Sequence, residues 1–108
     1  MSIKYDGGLE YILSPKSIAI IGASSRMGSV GQSIFSNIIL NNFKGNLYPI
    51  NPKVSAISGI KTYSSIIDVP DNVDLAIIII PSKEVISALE DCGKKGVKGV
   101  VVISAGFK

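Results

Sequence analysis

Ser17-Ile-Ala-Ile-Ile-Gly22-Ala-Ser-Ser-Arg-Met-Gly28-Ser-Val-Gly31 decides the fold. Apolar residues run without polar alternation and stop in a glycine- and serine-rich loop, after which a helical pattern begins. The unbroken run fits a strand inside a parallel sheet, covered on both faces. A strand that ends in such a loop leaves backbone N–H groups aimed at one spot. The positive end of the next helix points there too, so the spot attracts phosphate. That is the chemistry of a nucleotide-type cofactor site.

Outward from this stretch, strands and helices alternate. Residues 7–14 read as a short helix carrying Leu9, Ile12 and Leu13 on one side, stopped by Pro15. Val30, Ile34, Phe35 and Ile38 recur at helical spacing, which predicts a helix over 29–42 with Gly45 just past its end. Residues 47–50 form a second strand, ended by Asn51-Pro52-Lys53, and 59–63 a third at the edge. Asp68-Val-Pro-Asp-Asn-Val73 is turn chemistry. A buried strand over 75–80 leads through Pro81-Ser82 into a helix with Val85, Ala88, Leu89 and Cys92 on one stripe, ended by Gly93 or Gly96. Residues 100–103 are the last strand. This alternation implies βαβ units, hence a Rossmann-like, doubly wound α/β fold with a parallel sheet in the order 3-2-1-4-5. Ligands in such sheets sit beyond the carboxyl ends of the strands, where the order reverses. That edge gathers 22–31, 51–53, 81–83 and 104–107.

With 108 residues, the chain is expected to be one unit, residues 1–108, and its 46% hydrophobic content is enough for a core. No apolar run reaches the length of a membrane helix, and Met1-Ser-Ile-Lys-Tyr-Asp-Gly-Gly8 lacks the apolar centre of a signal peptide, so no membrane and a cytoplasmic location are expected. The single cysteine excludes an internal disulfide and a cysteine-rich metal site. Lysines are dispersed rather than clustered with aromatics, which argues against nucleic acid as a partner. There is no histidine, so the commonest general base and any phosphohistidine relay are missing. The expected role is binding rather than catalysis. The sequence stops soon after its last buried-type strand, leaving one apolar sheet face to be covered. The expectation is the front part of a longer protein, or a partner over that face.

The glycine loop departs from the dinucleotide pattern G-x-G-x-x-G. Ser24 stands at the second glycine position, and Gly31 follows Gly22 by nine positions instead of five. The longer turn, built from Gly22, Ala23, Ser24, Ser25, Arg26, Gly28, Val30 and Gly31, leaves room for a bulkier ligand, and the hydroxyls of Ser24 and Ser25 can donate to phosphate. Where an NAD site places a carboxylate for the ribose, this chain has Asn51, Pro52 and Lys53. The lysine favours a phosphorylated ribose, in NADP or in the 3′-phosphate of coenzyme A, unless it is an ordinary solvated charge. Arg26 and Lys83 add phosphate contacts or are surface charges. Ile80 and Pro81 end a strand beside the first one, where the proline flanks an adenine or a pantetheine arm, or simply starts a helix. Ser104, Ala105 and Gly106 offer small residues and N–H groups, or a plain turn. Cys92, Tyr48 and Tyr63 read as packing residues.

Several segments together resemble one family: Ser14-Pro-Lys-Ser-Ile-Ala-Ile-Ile-Gly-Ala-Ser24, Gly45-Asn-Leu-Tyr-Pro-Ile-Asn-Pro-Lys53, Val73-Asp-Leu-Ala-Ile-Ile-Ile-Ile-Pro81 and Gly96-Val-Lys-Gly-Val-Val-Val-Ile-Ser-Ala-Gly-Phe107. They are similar to the N-terminal CoA-binding domain of NDP-forming acyl-CoA synthetases, the ADP-forming acetate–CoA ligases and relatives of the succinyl-CoA synthetase α subunit. The resemblance implies CoA or acyl-CoA lying across the strand ends. Ser24 and its neighbours would hold phosphate, Lys53 would lie near the ADP portion, Pro81 would flank the nucleotide, and the 104–107 turn would lie near the thiol arm. The family reaction, acyl-CoA + ADP + phosphate ⇌ acid + ATP + CoA, passes through an acyl phosphate and a phosphohistidine. ATP or ADP, Mg²⁺ and that histidine would belong to later domains or a partner subunit, including an ATP-grasp module, within an oligomer. The competing expectations are a regulatory CoA-binding module, for example of an acetyltransferase fusion, and an NAD(P)-binding lobe.

Overall fold

Ser17–Ile21 is the strand that its composition demands, with one helix packed on each of its faces. The computed structural model describes residues 2–5, 14–24, 26 and 28–103. In chain order these form β1 (Ser2–Tyr5), β2 (Ser17–Ile21), α1 (Val30–Leu40), β3 (Asn46–Ile50), β4 (Ala56–Ile57), β5 (Ile60–Lys61), a 3-10 turn (Ile66–Asp68), β6 (Leu75–Ile78), α2 (Ser82–Lys95) and β7 (Gly99–Val102). Of the helix expected over 7–14, residues 7–13 lie outside the described residues, and Ser14 is a bend.

Side chains of β2 alternate between two cores. Ile18 and Ile20 join Phe35 of α1, Ile57 and Leu75, whereas Ala19 joins Ala76, Val100, and Ala88 and Cys92 of α2. Burial on both faces is what makes the run continuously apolar. Each large side chain removed from water in this way contributes about 1.5–3 kcal/mol.

The main sheet has the order β1-β7-β6-β2-β3, parallel throughout except for β1, which runs antiparallel to β7. Four strands of the expected 3-2-1-4-5 order are therefore in place. The third position needs correction. Residues 59–63 do not form one edge strand: β5 folds back on β4, and only Tyr63 reaches the sheet, in a single parallel bridge to Ile50. The cause lies in the two residues between β4 and β5. Ser58 and Gly59 both have positive φ (51° and 80°), the backbone of a tight two-residue hairpin turn.

Element ends also differ from the expectation. α1 stops at Leu40, with Asn41 as its C-cap and Asn42 left-handed, so Gly45 is not its terminator. Of the two glycines expected to end α2, Gly96 does so, as its left-handed C-cap. β6 ends at Ile78, two residues short of the expected 80, and the N–H of Ile79 makes the last bond to β2, at Ile21 O. At the opposite end of the sheet, the buried Ser17 hydroxyl donates to Asn72 O (3.0 Å) and accepts from Asp74 N (2.8 Å), tying the turn before β6 to the start of β2.

Candidate functional site

The chain passes from β2 to β3 on one side and returns to β6 on the other, so the strand order reverses between β2 and β6. At that point the carboxyl ends are laced together. Gly22 N donates to Ile50 O (3.2 Å), and Ile79 N donates to Ile21 O (2.8 Å). The loop then runs flat between the exit of β6 and the first turn of α1. An ideal Cβ on Gly22, whose φ is +101°, would lie 2.2 Å from Ile79 O, and one on Gly31 would lie 2.2 Å from Gly22 O. Side chains at these positions would force helix and strand apart.

The turn beyond Ala23 winds on itself. Arg26 N donates to the Ser24 hydroxyl (2.9 Å), and Arg26 O accepts from both Ser29 N (3.2 Å) and Ser29 Oγ (2.8 Å). Ser29 is the N-cap of α1, its hydroxyl accepting from Gln32 N (3.1 Å), and Ser33 N bonds back to Ser29 O. Among the described residues this leaves the first-turn N–H groups of Val30 and Gly31 without an intrahelical acceptor. They point where the helix dipole is positive.

An open groove of about 400 Å³ lies over these groups, lined by Gly22, Ser24, Arg26, Gly28, Ser29, Val30, Gly31, Ile79, Ile80 and Pro81. Eight of the sixteen expected site residues thus meet in one place. Ile79 and Ser29 were not among the expected ones. Ser29 was legible as a capping serine three residues before Gln32. Ile79 was hidden inside an apolar run that reads as strand to its end. Among the described residues the lining carries one charged side chain, Arg26, and no carboxylate.

The remaining expected residues divide into three groups. Ala23 is 1% exposed and packs in the α1 core, so its side chain cannot meet a ligand. Asn51, Pro52 and Lys53 do not line the groove, nor does Lys83 in the first turn of α2. Asn51 is nevertheless bonded to the loop, its Nδ2 donating to Ala23 O (2.9 Å), and Lys53 N donates to Asn51 Oδ1 (2.8 Å). Pro52 and Lys53 are exposed beside that link. Ser25, Ser104, Ala105 and Gly106, with the 104–107 turn, lie outside the described residues.

The described lining holds no cysteine, tyrosine, lysine or carboxylate. Burial, then the hydrogen bond to Asp71 (2.7 Å) and its charge, push the Tyr48 hydroxyl up to about 12. Burial, then the neighbouring Asp91 carboxylate, push the Cys92 thiol up to about 11. Both stay protonated, and both sit in the α2 core away from the groove. The described residues hold no group of three or more metal-ligating side chains, and no described helix is long and apolar enough to cross a membrane. A cradle of amides and a guanidinium, closed to any Cβ at Gly31 and with no carboxylate in its described lining, fits a polyphosphate.

Residues 16–108 match the family model described as CoA binding domain. The chain belongs to the CoA-binding domain family. It is 56% identical over 102 residues to an acetate–CoA ligase (ADP-forming) of Methanocaldococcus jannaschii, covering 94% of this chain and 14% of that protein. It is 56% identical over 97 residues to a 4-hydroxybutyrate–CoA ligase (ADP-forming) of Nitrosopumilus maritimus, covering 90% and 14%. The apo structure of dinucleotide-forming acetyl-coenzyme A synthetase 1 from Ca. Korarchaeum cryptofilum superposes with a TM-score of 0.88 at 45% identity, over 93% of this chain and 22% of that one. The chain spans about 14% of the length of the two curated relatives. A CoA-binding domain with Asn51-Pro52-Lys53 after its second core strand has no carboxylate there for a ribose, in keeping with a cofactor phosphorylated on that sugar.

Proposed function

We propose that this chain holds coenzyme A or acyl-CoA for an ADP-forming acyl-CoA ligase. The observation that carries the reading is the groove at the strand-order reversal, where the N–H groups of Val30 and Gly31 and the Arg26 side chain converge and the described lining holds no carboxylate. In this reading Gly22, Ser24, Arg26, Gly28, Val30 and Gly31 hold phosphate, Ile80 and Pro81 flank the nucleotide, and Lys53 faces the 3′-phosphate. The 104–106 segment meets the pantetheine arm. CoA supplies a thiol that carries the acyl group as a thioester, and this chain binds and orients it.

The whole-protein reaction is acyl-CoA + ADP + phosphate ⇌ acid + ATP + CoA. This chain has no histidine to carry a phosphoryl group, so that step falls to further domains or to a partner subunit with an ATP-grasp module and Mg²⁺. Residues 1–108 then act as one CoA-holding unit of a larger, oligomeric assembly in the cytoplasm. Titration calorimetry with CoA, NADH and NADPH tests the reading. CoA is expected to bind most tightly, and preference for either nicotinamide nucleotide would overturn it.

A further inference from the structure

Asn51 uses every polar group it turns toward the protein. Its backbone N–H donates to Tyr63 O (2.9 Å), its Nδ2 donates to Ala23 O (2.9 Å), and its Oδ1 accepts from Lys53 N (2.8 Å). Chemistry fixes the orientation of the amide: the Ala23 carbonyl can only accept and the Lys53 N–H can only donate, so a flipped side chain would lose both bonds. One residue therefore joins the end of β3, the Tyr63 bridge, the glycine loop and the backbone of Lys53. A carboxylate at this position would still cap Lys53 N but would set oxygen against the Ala23 carbonyl.

We propose that Asn51 is a positioning residue that sets the spacing between the phosphate-holding loop and Lys53, so that the two engage one ligand together. The proposal rests on the CoA reading above and assigns the side chain to the protein rather than to the ligand. Its two halves have separate consequences. The Oδ1 bond pins the Lys53 backbone, and thereby the origin of its long side chain. The Nδ2 bond pins the loop at Ala23, immediately after Gly22.

The test is a mutant cycle of Asn51→Ala, Lys53→Ala and the double variant, read by calorimetry with CoA and with dephospho-CoA. K53A is expected to weaken CoA about tenfold, one charge-assisted contact, and to leave dephospho-CoA nearly unchanged. N51A is expected to weaken both ligands and to shrink the preference for CoA about as far as K53A does. Adding K53A to N51A is then expected to change CoA binding by less than about twofold, the signature of two coupled residues. An N51A protein that keeps the wild-type preference, and in which K53A still exerts its full effect, would overturn the proposal.

Asn51→Ser provides a second reading if N51A does not fold. Its short hydroxyl keeps a local acceptor for Lys53 N but cannot reach Ala23. Both ligands are expected to weaken alike, with the preference retained, whereas wild-type affinity would sink the Ala23 half of the argument. The outcomes stay distinct from a failure of the functional reading. If wild-type protein prefers NADPH to CoA, the CoA assignment itself has failed. If it binds CoA and dephospho-CoA equally, CoA binding stands and the Lys53 placement falls, taking this proposal with it.

Discussion

Gly31 lies so close against Gly22 that a Cβ on the helix residue would come within 2.2 Å of the loop carbonyl. Two opposing effects meet in Gly31→Ala. Alanine favours the helix by up to about 1 kcal/mol, while the added methyl must push α1 away from the loop, an overpacking that costs about 1–3 kcal/mol. The contact is with backbone, which yields least, so the clash is expected to win. Calorimetric unfolding should give a lower Tm for G31A, with weaker CoA binding. A higher Tm would mean that helix and loop separate freely.

Val30→Pro isolates a single main-chain donor. Val30 is the first residue of α1 and is exposed, and Ser29 before it has ψ of 153°. Proline is tolerated at this helix position and demands such an extended predecessor. The variant should fold with a Tm close to wild type yet lose the Val30 N–H. CoA binding is expected to weaken about tenfold, a hydrogen bond to a charged group. Unchanged affinity in a folded V30P protein would place the phosphates elsewhere.

Reversing the charge at Lys53 probes the sugar end of the ligand. Lys53→Glu is expected to weaken CoA by about tenfold or more and dephospho-CoA far less, since only the former carries the phosphate to be repelled. Raising salt should narrow the gap, because an exposed charge is screened. Equal losses for both ligands would put Lys53 away from the 3′-phosphate.

Alkali should expose the Tyr48–Asp71 pair. The hydroxyl titrates at about 12 in the folded chain against 10.0 for an ordinary tyrosine. A raised folded value means that the stabilisation is complete below pH 10 and is lost as pH rises toward 12. Tyr48→Phe removes the hydroxyl and should flatten urea-unfolding stability across that window. It should not flatten it fully, since the Cys92 thiol, raised from 9.0 to about 11, acts in the same direction. A Y48F profile as steep as wild type would mean that the pair is not what alkali breaks.

The parts of this fold that could be read from sequence are those fixed by local pattern. Ile18 and Ile20 on one face and Ala19 on the other give an unbroken apolar run, and Gly22 marks its end. What escaped depends on distant partners. β1 is four residues whose strand character comes from pairing with β7 almost a hundred residues away. The third strand was lost to Ser58-Gly59, a dipeptide that folds β5 onto β4. Ile79 reads as strand because its apolar run continues unbroken, and its close approach to Gly22 across the sheet leaves no mark in the local sequence. In the site, the glycines, Arg26 and Pro81 were legible because loop chemistry is local. The inward bonds of Asn51 were not, because an asparagine that supports a loop and one that greets a ligand are written alike.

The Tyr63 bridge bears on how the sheet ends. An edge strand with free N–H and C=O groups is a template for other chains. Along the outer edge of β3, Tyr63 already takes Pro49 O (3.0 Å) and the Asn51 N–H (2.9 Å), while Pro49 has no N–H to offer. A stranger strand arriving at this border finds the Pro49 and Asn51 positions already taken by Tyr63, which blocks growth of the parallel sheet over that end of β3.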